Sequence, residues 1–253
     1  MLPFGPEVSI ITPSYNSEKT VEATIRSVLG QTFRDWEMII VDDCSTDQTR
    51  MKLAAAEFAD ERIHTVFLTE NSGAAAARNA ALDLARGRYI AFLDSDDCWK
   101  PEKLEKQLNF MKKNGYAFSF TGYEYISQDG ESLHKVIQAP AQITYEDMLK
   151  NTIVGCLTVM VDRERTGQFR MPDLRSRQDL ATWLGLLKKG IVAYGLNETL
   201  SEYRISGKTS LSGNKWKAAR KTWFVYRQVE KLPVLLSCWY FCHYAAHALI
   251  KRF

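Results

Sequence analysis

The sequence predicts an α/β protein whose central sheet is mostly parallel and covered by helices on both faces. Two observations predict the class. Within the first 115 residues short β-branched runs alternate four times with segments of helical period, and those runs are continuously apolar, as strands buried on both faces must be. A third observation bears on use: polar clusters directly follow three of the runs, and ligands of such sheets bind beyond the carboxyl ends of the strands. At 253 residues, 45% apolar and 25% charged, the chain can bury the core of one large α/β domain. That composition excludes a wholly disordered, collagen-like or polytopic membrane chain.

Residues 8–12 are a β-branched run closed by Pro13, and 19–29 follow with Val21, Ile25, Val28 and Leu29 at helical spacing. Residues 36–41 form a second strand that stops at Asp42 and Asp43, and 46–58 a helix with Ser45 or Thr46 as its cap. A third strand at 63–68, an alanine-rich helix at 74–85 and a fourth strand at 89–93 lead to Asp94-Ser95-Asp96-Asp97. The helix at 101–114 has Pro101 in its first turn and Gly115 as its stop. Beyond Gly115 the pattern changes. Residues 116–127 are a strand or hairpin arm, Gln128-Asp129-Gly130 a turn, and 134–137 its return. A short helix at 145–150, a strand at 157–162, a helix at 180–189 ended by Gly190, and a strand at 194–202 leading into Tyr203 and Arg204 complete the body. Neither a Pro/Gly/Ser linker nor a repeat interrupts it, so 1–207 is read as one domain.

Three polar clusters should converge on one rim of the sheet: Thr12-Pro13-Ser14-Tyr15-Asn16, Asp42-Asp43 and Asp94 to Asp97. Carboxylates on one turn suit a hard cation such as Mg²⁺ or Mn²⁺; the turn can equally be solvated, with Asp97 capping a helix. A second acidic pair on the same rim is unfavourable unless cations or hydrogen-bond donors are present. The first cluster lacks glycine, so it is no dinucleotide-binding GxGxxG turn. Tyr15 could stack on a base while Asp43 accepts from a ring N–H, or Tyr15 could be a packed loop aromatic. Between Asn71 and Asn79, Gly73 and small residues open a helix to close approach by a ligand, and Arg78 adds a cation. The alternative is a tightly packed alanine helix with Arg78 paired to an acid.

These residues together carry a resemblance. The runs 8–16, Gln31-Thr32-Phe33, 37–47, Asn71 and Gly73 with Ala77-Arg78-Asn79, and 89–97 resemble, in order and spacing, the motif set of family-2 inverting glycosyltransferases of GT-A fold. The likeness is strong over about 8–115 and weaker to about 210. Within the family the chain looks closest to teichuronic acid, capsular and lipopolysaccharide-type bacterial enzymes. The resemblance implies a Rossmann-like catalytic domain at 1–207, with a nucleotide-sugar half at 1–115 and an acceptor-facing half at 116–207. It implies that Pro13, Tyr15, Asn16, Asp43, Gly73, Arg78, Asp94 and Ser95 bind the nucleotide, and that Asp94 and Asp96 form the D-x-D pair for Mg²⁺ or Mn²⁺. Asp179 matches the general base, with Gln178 where Glu is usual; Asp179 can also be an N-cap. Tyr203, Arg204 and Ser206 match the active-site loop, Ser206 standing where many relatives carry His. That loop can alternatively be an ordinary polar loop.

Residues 208–253 form a basic tail, with nine Lys and Arg against the single acid Glu230, while the whole chain is only +3. The body is therefore net acidic. Residues 232–250 carry no formal charge, and Tyr240, His243, Tyr244 and His247 fall on a stripe opposite Leu235, Leu236, Trp239, Cys242 and Ala246. An amphipathic helix on an anionic membrane surface, involving 215–252, fits better than a transmembrane span. A helix packed on the body or on a second copy in a homodimer is the competing reading. Nucleic-acid binding is disfavoured by the apolar run, and a zinc site at His243 and His247 lacks a third ligand. Five widely spaced cysteines without a CxxC pair suit a reducing compartment, and the N-terminus lacks a signal-peptide pattern. The expectation is a peripheral enzyme at the cytosolic face of the plasma membrane, moving sugar from a nucleotide, UDP above all, onto a surface glycan on a lipid carrier. A non-catalytic nucleotide-sugar-binding protein and a sugar-nucleotide pyrophosphorylase are the alternatives.

Overall fold

The computed structural model describes residues 5–205 and 215–250, without the side chains of 215–217 and 248–250. Strands β1 (Val8–Ser14) and β2 (Trp36–Asp42) flank helix α1 (Val21–Leu29) in sequence and are buried at every residue. Both faces are apolar: Val8, Ile10, Met38 and Ile40 enter one core layer, and Ile11, Ile39 and Val41 the other. That is why these strands show no alternation in sequence.

Helix α2 (Thr49–Ala59), strand β3 (Ile63–Phe67), helix α3 (Ala74–Leu84) and strand β4 (Tyr89–Phe92) continue the winding. Neither Ser45 nor Thr46 caps α2, which starts three residues later than the sequence suggests. Ser45 is instead held by Asp42, and the Asp47 carboxylate accepts from the Thr49 N–H at 3.0 Å. Strand β5 (Cys98–Trp99) precedes α4 (Lys103–Asn114), which ends on the left-handed Gly115, as a side chain-free stop should.

The second half supplies β6 (Phe118–Ile126), β7 (Ser132–Ile137), β8 (Gln142–Ile143), α5 (Tyr145–Lys150), β9 (Val159–Asp162), α6 (Arg163–Thr166), α7 (Gln178–Leu187) and β10 (Ala193–Arg204). The ten strands among the described residues join one sheet in the order β3-β2-β1-β4-β9-β6-β10-β5, with β7 on β6 and β8 on β10. The parallel character expected from the sequence belongs to β3-β2-β1-β4 and to the β6–β10 pair. Strand β9 is inserted antiparallel to both β4 and β6. A short apolar run carries no information about the direction of its neighbours, so this insertion was not readable.

Helices α1, α2 and α4 cover one face through Val21, Ile25, Leu53, Leu104 and Leu108. The other face is covered by α3, α5 and α7, through Ala77, Ala81, Met148, Trp183 and Leu184. Helix α8 (Lys215–Phe224) passes through a π-helical turn, Val225–Val229, towards α9 (Val234–Ile250). Tyr226 and Tyr240 join the α3/α5/α7 layer, so α9 packs on the body of the protein by its tyrosine face. Among the described residues no helix is long and apolar enough to cross a membrane.

Candidate functional site

The first two rim loops are tied to each other. Pro13 is buried within β1 opposite Val41, and the chain then turns at Asn16, whose φ of 47° is left-handed. The Asn16 N–H donates to Ser45 Oγ at 2.8 Å, and its side-chain oxygen accepts from the Thr46 N–H at 2.9 Å. Asn16 thus shapes the rim by spending its polar groups on the neighbouring loop. Tyr15 between them is 52% exposed, which removes the reading of a packed loop aromatic and leaves its ring on the rim.

Two acids end β2, and the structure separates them. Asp42 is fully buried and structural, held by Ser45 and by Arg50 Nε at 2.7 Å. Asp43 reaches forward, its two oxygens accepting from the Ser72 and Gly73 N–H groups at 2.7 and 2.8 Å. Gly73 adopts φ 88°, ψ 162°, a region closed to side chain-bearing residues, although an added Cβ would meet nothing. Backbone conformation, not space, requires glycine there. The N–H groups of the α3 first turn lack partners within the helix, so the helix presents a positive end at the rim.

The acidic turn after β4 holds three carboxylates in different states. Asp94 is ion-paired with Arg78, as the alanine-helix reading anticipated. Ser95 is buried, and its carbonyl accepts from Thr20 Oγ1 at 2.9 Å. Burial, with the neighbouring Asp94 charge, pushes the Asp96 carboxyl up to about 6. Burial, with Asp96 and Asp94, raises Asp97 well above the carboxylate range. Asp97 does not cap α4: it is buried and accepts from the Arg204 N–H at 2.8 Å.

Arg204 is a clamp on this turn. Its guanidinium donates from Nε to the Asp96 carbonyl at 2.7 Å and from Nη1 to the Ser127 and Gln128 carbonyls at 3.1 and 2.7 Å. The side chain is consumed by backbone carbonyls, so it fixes the acidic turn against the 127–128 turn. Tyr203, beside it, meets the rings of Tyr123 and Tyr125. Ser206 lies outside the described residues.

Arg78 is paired with the acidic turn and lies within electrostatic reach of Asp179. Burial alone would lower its pKa; the Asp94 charge first, then Cys156, the hydrogen bond to Asp94 and last Asp179 outweigh it, and the net shift is upward. Its Nε and Nη1 are buried without a hydrogen-bond partner. Asp179 sits in the first turn of α7, but Arg177, with φ 64°, is the N-cap, so the capping alternative for Asp179 falls. Gln178 is buried with its side-chain oxygen unpartnered.

Two residues here carried no signal as site residues in the sequence. Cys156 is buried close enough to Arg78, Asp94 and Asp179 to feel their charges, and burial raises its pKa well above the thiol range. Lys103 is fully buried, its Nζ without a hydrogen-bond partner and 3.6 Å from the Trp99 ring centroid. Both come from segments that read as ordinary core or helix.

Among the described residues no group of three or more His, Cys, Asp or Glu side chains could hold a metal. Asp94 and Asp96 nevertheless suit a hard divalent cation. Burial, and after it the Asp94 charge, raises the Asp96 carboxyl, and a cation beside it would favour the charged form. Two protein carboxylates are enough where diphosphate oxygens and water complete the shell.

The glycosyl transferase family 2 model matches residues 9–171, which include the strands and loops of the rim. The chain is 62% identical, over the full length of both, to TuaG of Bacillus subtilis (strain 168), a glycosyltransferase named for teichuronic acid biosynthesis. It is 43% identical to an Escherichia coli protein over 97% of this chain and 94% of that one. That relative is named UDP-Glc:alpha-D-GlcNAc-diphosphoundecaprenol beta-1,3-glucosyltransferase WfgD. The mannosyltransferase PcManGT of Pyrobaculum calidifontis, solved with GDP-Man and Mn²⁺, shares the fold. Its TM-score is 0.71 at 17% identity, over 98% of this chain and 76% of that one. The architecture is therefore GT-A, and the protein is an enzyme of glycosyl transferase family 2.

Proposed function

We propose that the protein is a metal-dependent inverting glycosyltransferase that moves a sugar from a UDP-linked donor onto a hydroxyl of a lipid-linked bacterial surface glycan. The observation that carries the reading is the buried Arg78 guanidinium, paired with Asp94 and influenced by Asp179. Its pairing with the candidate cation-binding turn and its response to the Asp179 charge support reading turn and base as parts of one site. Donor and carrier chemistry are supported by the names of the relatives, and a divalent ion by the Mn²⁺ of the mannosyltransferase. In this reading 1–115 hold the donor and 116–207 face the acceptor, at the cytosolic surface of the membrane.

Tyr15 offers a stacking ring for the base, and Asp43, already fixing the 71–73 loop, orients the opening of α3 towards the phosphates. Asp96, with the second oxygen of Asp94, would hold Mg²⁺ or Mn²⁺. The ion, when bound, stabilises the negative charge of the departing diphosphate. Arg78 adds a fixed positive charge near that position. Asp179 takes the proton of the acceptor hydroxyl as its oxygen attacks the anomeric carbon opposite the leaving group, which inverts configuration. No covalent glycosyl-enzyme is required.

Asp179→Asn tests the assignment. UDP binding in the presence of Mn²⁺ should remain within a few-fold, while transfer falls by ~10²–10⁴. Transfer surviving within tenfold of wild type, or a product of retained anomeric configuration by NMR, overturns it.

A further inference from the structure

Five exposed large hydrophobic side chains, Phe224, Val234, Leu235, Leu236 and Trp239, lie between positions 224 and 239. On α9, Leu235, Trp239, Cys242 and Ala246 recur at i, i+4, i+7 and i+11, one stripe of a helix, and all four are exposed. Leu235 is 86% exposed and Trp239 59%. The opposite stripe, Ser237, Tyr240 and Tyr244, is buried against the body. Helix α9 therefore wears its more polar face inward and its apolar face outward. No Asp, Glu, Lys or Arg occurs within it; its titratable basic residues are His243 and His247.

Lysines border the start of this face, while on its α5 side the exposed Glu146 is paired with Lys150 at 3.7 Å. Lys231 is exposed in the turn that starts α9, and Lys188 and Lys189 are exposed at the end of α7. Lys188 and the α8–α9 turn are linked, because Lys188 Nζ meets Glu230 at 3.2 Å. Glu230 is the one acid among the described residues of 215–250, and it is buried, also accepting from Tyr145 Oη at 2.6 Å. An exposed apolar stripe bordered by lysines matches the chemistry of an anionic bilayer, with acyl chains under the stripe and headgroups at its edge. A second copy is a poorer match, since a two-fold pairing would set the same lysines against each other.

We propose that the outward stripe of α9, led by Leu235 and Trp239 and bordered by Lys189 and Lys231, seats the enzyme on an anionic lipid surface. The proposal deepens the lipid-linked acceptor reading by naming the surface involved, and it is tested without any glycan, so either can fail alone. The geometry also connects this surface to the site. Tyr244 Oη accepts from Arg177 Nη2 at 3.1 Å, and Arg177 is the N-cap of α7, two residues before Asp179. A bilayer beneath α9 is thus held in a fixed relation to the candidate base.

The test is co-sedimentation of the full-length protein with vesicles rich in phosphatidylglycerol and with pure phosphatidylcholine vesicles. Wild type should bind the anionic vesicles and lose binding at high salt. Leu235→Glu with Trp239→Glu should weaken binding about tenfold or more. Lys189→Glu with Lys231→Glu should weaken it on anionic vesicles and leave phosphatidylcholine binding unchanged. All variants should keep the thermal unfolding midpoint of wild type, as expected for exposed positions. Absence of vesicle binding by wild type, or undiminished binding by folded Leu235→Glu/Trp239→Glu, overturns the proposal. So does a wild-type dimer, by sedimentation velocity, that those two substitutions convert to monomer without any effect on vesicles.

Discussion

Replacing Arg204 by alanine should both destabilise the protein and loosen its cation site, and the two effects have one cause. The guanidinium is buried and donates to the carbonyls of Asp96, Ser127 and Gln128, with Nη2 3.5 Å from Cys98 Sγ. Hydrogen bonds from a charged donor contribute ~1.5–3 kcal/mol each, which for three gives a ceiling near ~9 kcal/mol. The ceiling is not reached. Such bonds are not additive, and the Gln128 end lies in an exposed turn where water can take over. The Asp96 carbonyl sits in the interior of the acidic turn and has less recourse to water. A loss of about 3–5 kcal/mol is expected for Arg204→Ala, and roughly half that for Arg204→Lys, which keeps the charge without the fork. Since total stability of a domain is ~5–15 kcal/mol, the alanine variant should remain folded but shift strongly in urea. Calorimetry should then show Mn²⁺-dependent UDP affinity lowered by at least tenfold in the lysine variant, because Asp96 has lost its backbone tether. An alanine variant within 1 kcal/mol of wild type, with unchanged UDP affinity, would refute the clamp.

Three other predictions follow from buried charges. Asp96 has its carboxyl raised from 3.8 to about 6, so metal-free protein should lose stability as pH rises through that interval; Asp96→Asn should remove the loss, worth about 1–3 kcal/mol. Adding Mn²⁺ should stabilise wild type and not Asp96→Asn, and equal stabilisation of both would place the ion elsewhere. Lys103→Met should gain about 1–3 kcal/mol, because it replaces an amine buried without a hydrogen-bond partner over Trp99. Burial holds that amine's pKa well below the usual range, so the gain should grow as pH falls; a loss in urea melts would show that Nζ is satisfied. Burial pushes Glu37 upward, but Ser9 and Arg86 outweigh it and hold its carboxyl below 4.5. The stability it confers should be full above that pH and fade below it, while Glu37→Gln should melt with little change across the same range. Parallel pH profiles for variant and wild type would contradict this.

Much of the rim was legible because its chemistry is local. Tyr15, Asp43, Gly73 and the Asp94–Asp97 turn each follow a strand or open a helix, and a strand's end is visible in sequence as the place where an apolar run stops. Roles within those clusters were not legible. Asp42 and Asp43 are neighbours of the same type, yet one is locked by Arg50 and the other tethers the 71–73 loop, a choice made by which way each side chain leaves the strand. Arg204 read as a residue of the active-site loop; only the pairing of β10 with β6 shows it gripping carbonyls from two distant turns.

The amphipathic period of α9 was legible too, but not which stripe would face water. Composition suggests that the tyrosine and histidine stripe is the wet one. The structure buries Tyr240 and Tyr244, because Arg177 and the α5/α7 layer give tyrosines both an apolar seat and a polar partner. By itself the sequence determined the alternation of strands and helices, the core layers and the residue types on the rim, since these depend on periodicity and on neighbours a few positions away. Strand order, the antiparallel insertion of β9, the meeting of Arg78 with Asp94 near Asp179, and the outward face of α9 were decided by tertiary structure. Each is a contact between segments far apart in the chain, and local periodicity carries no record of which distant surface a segment will meet.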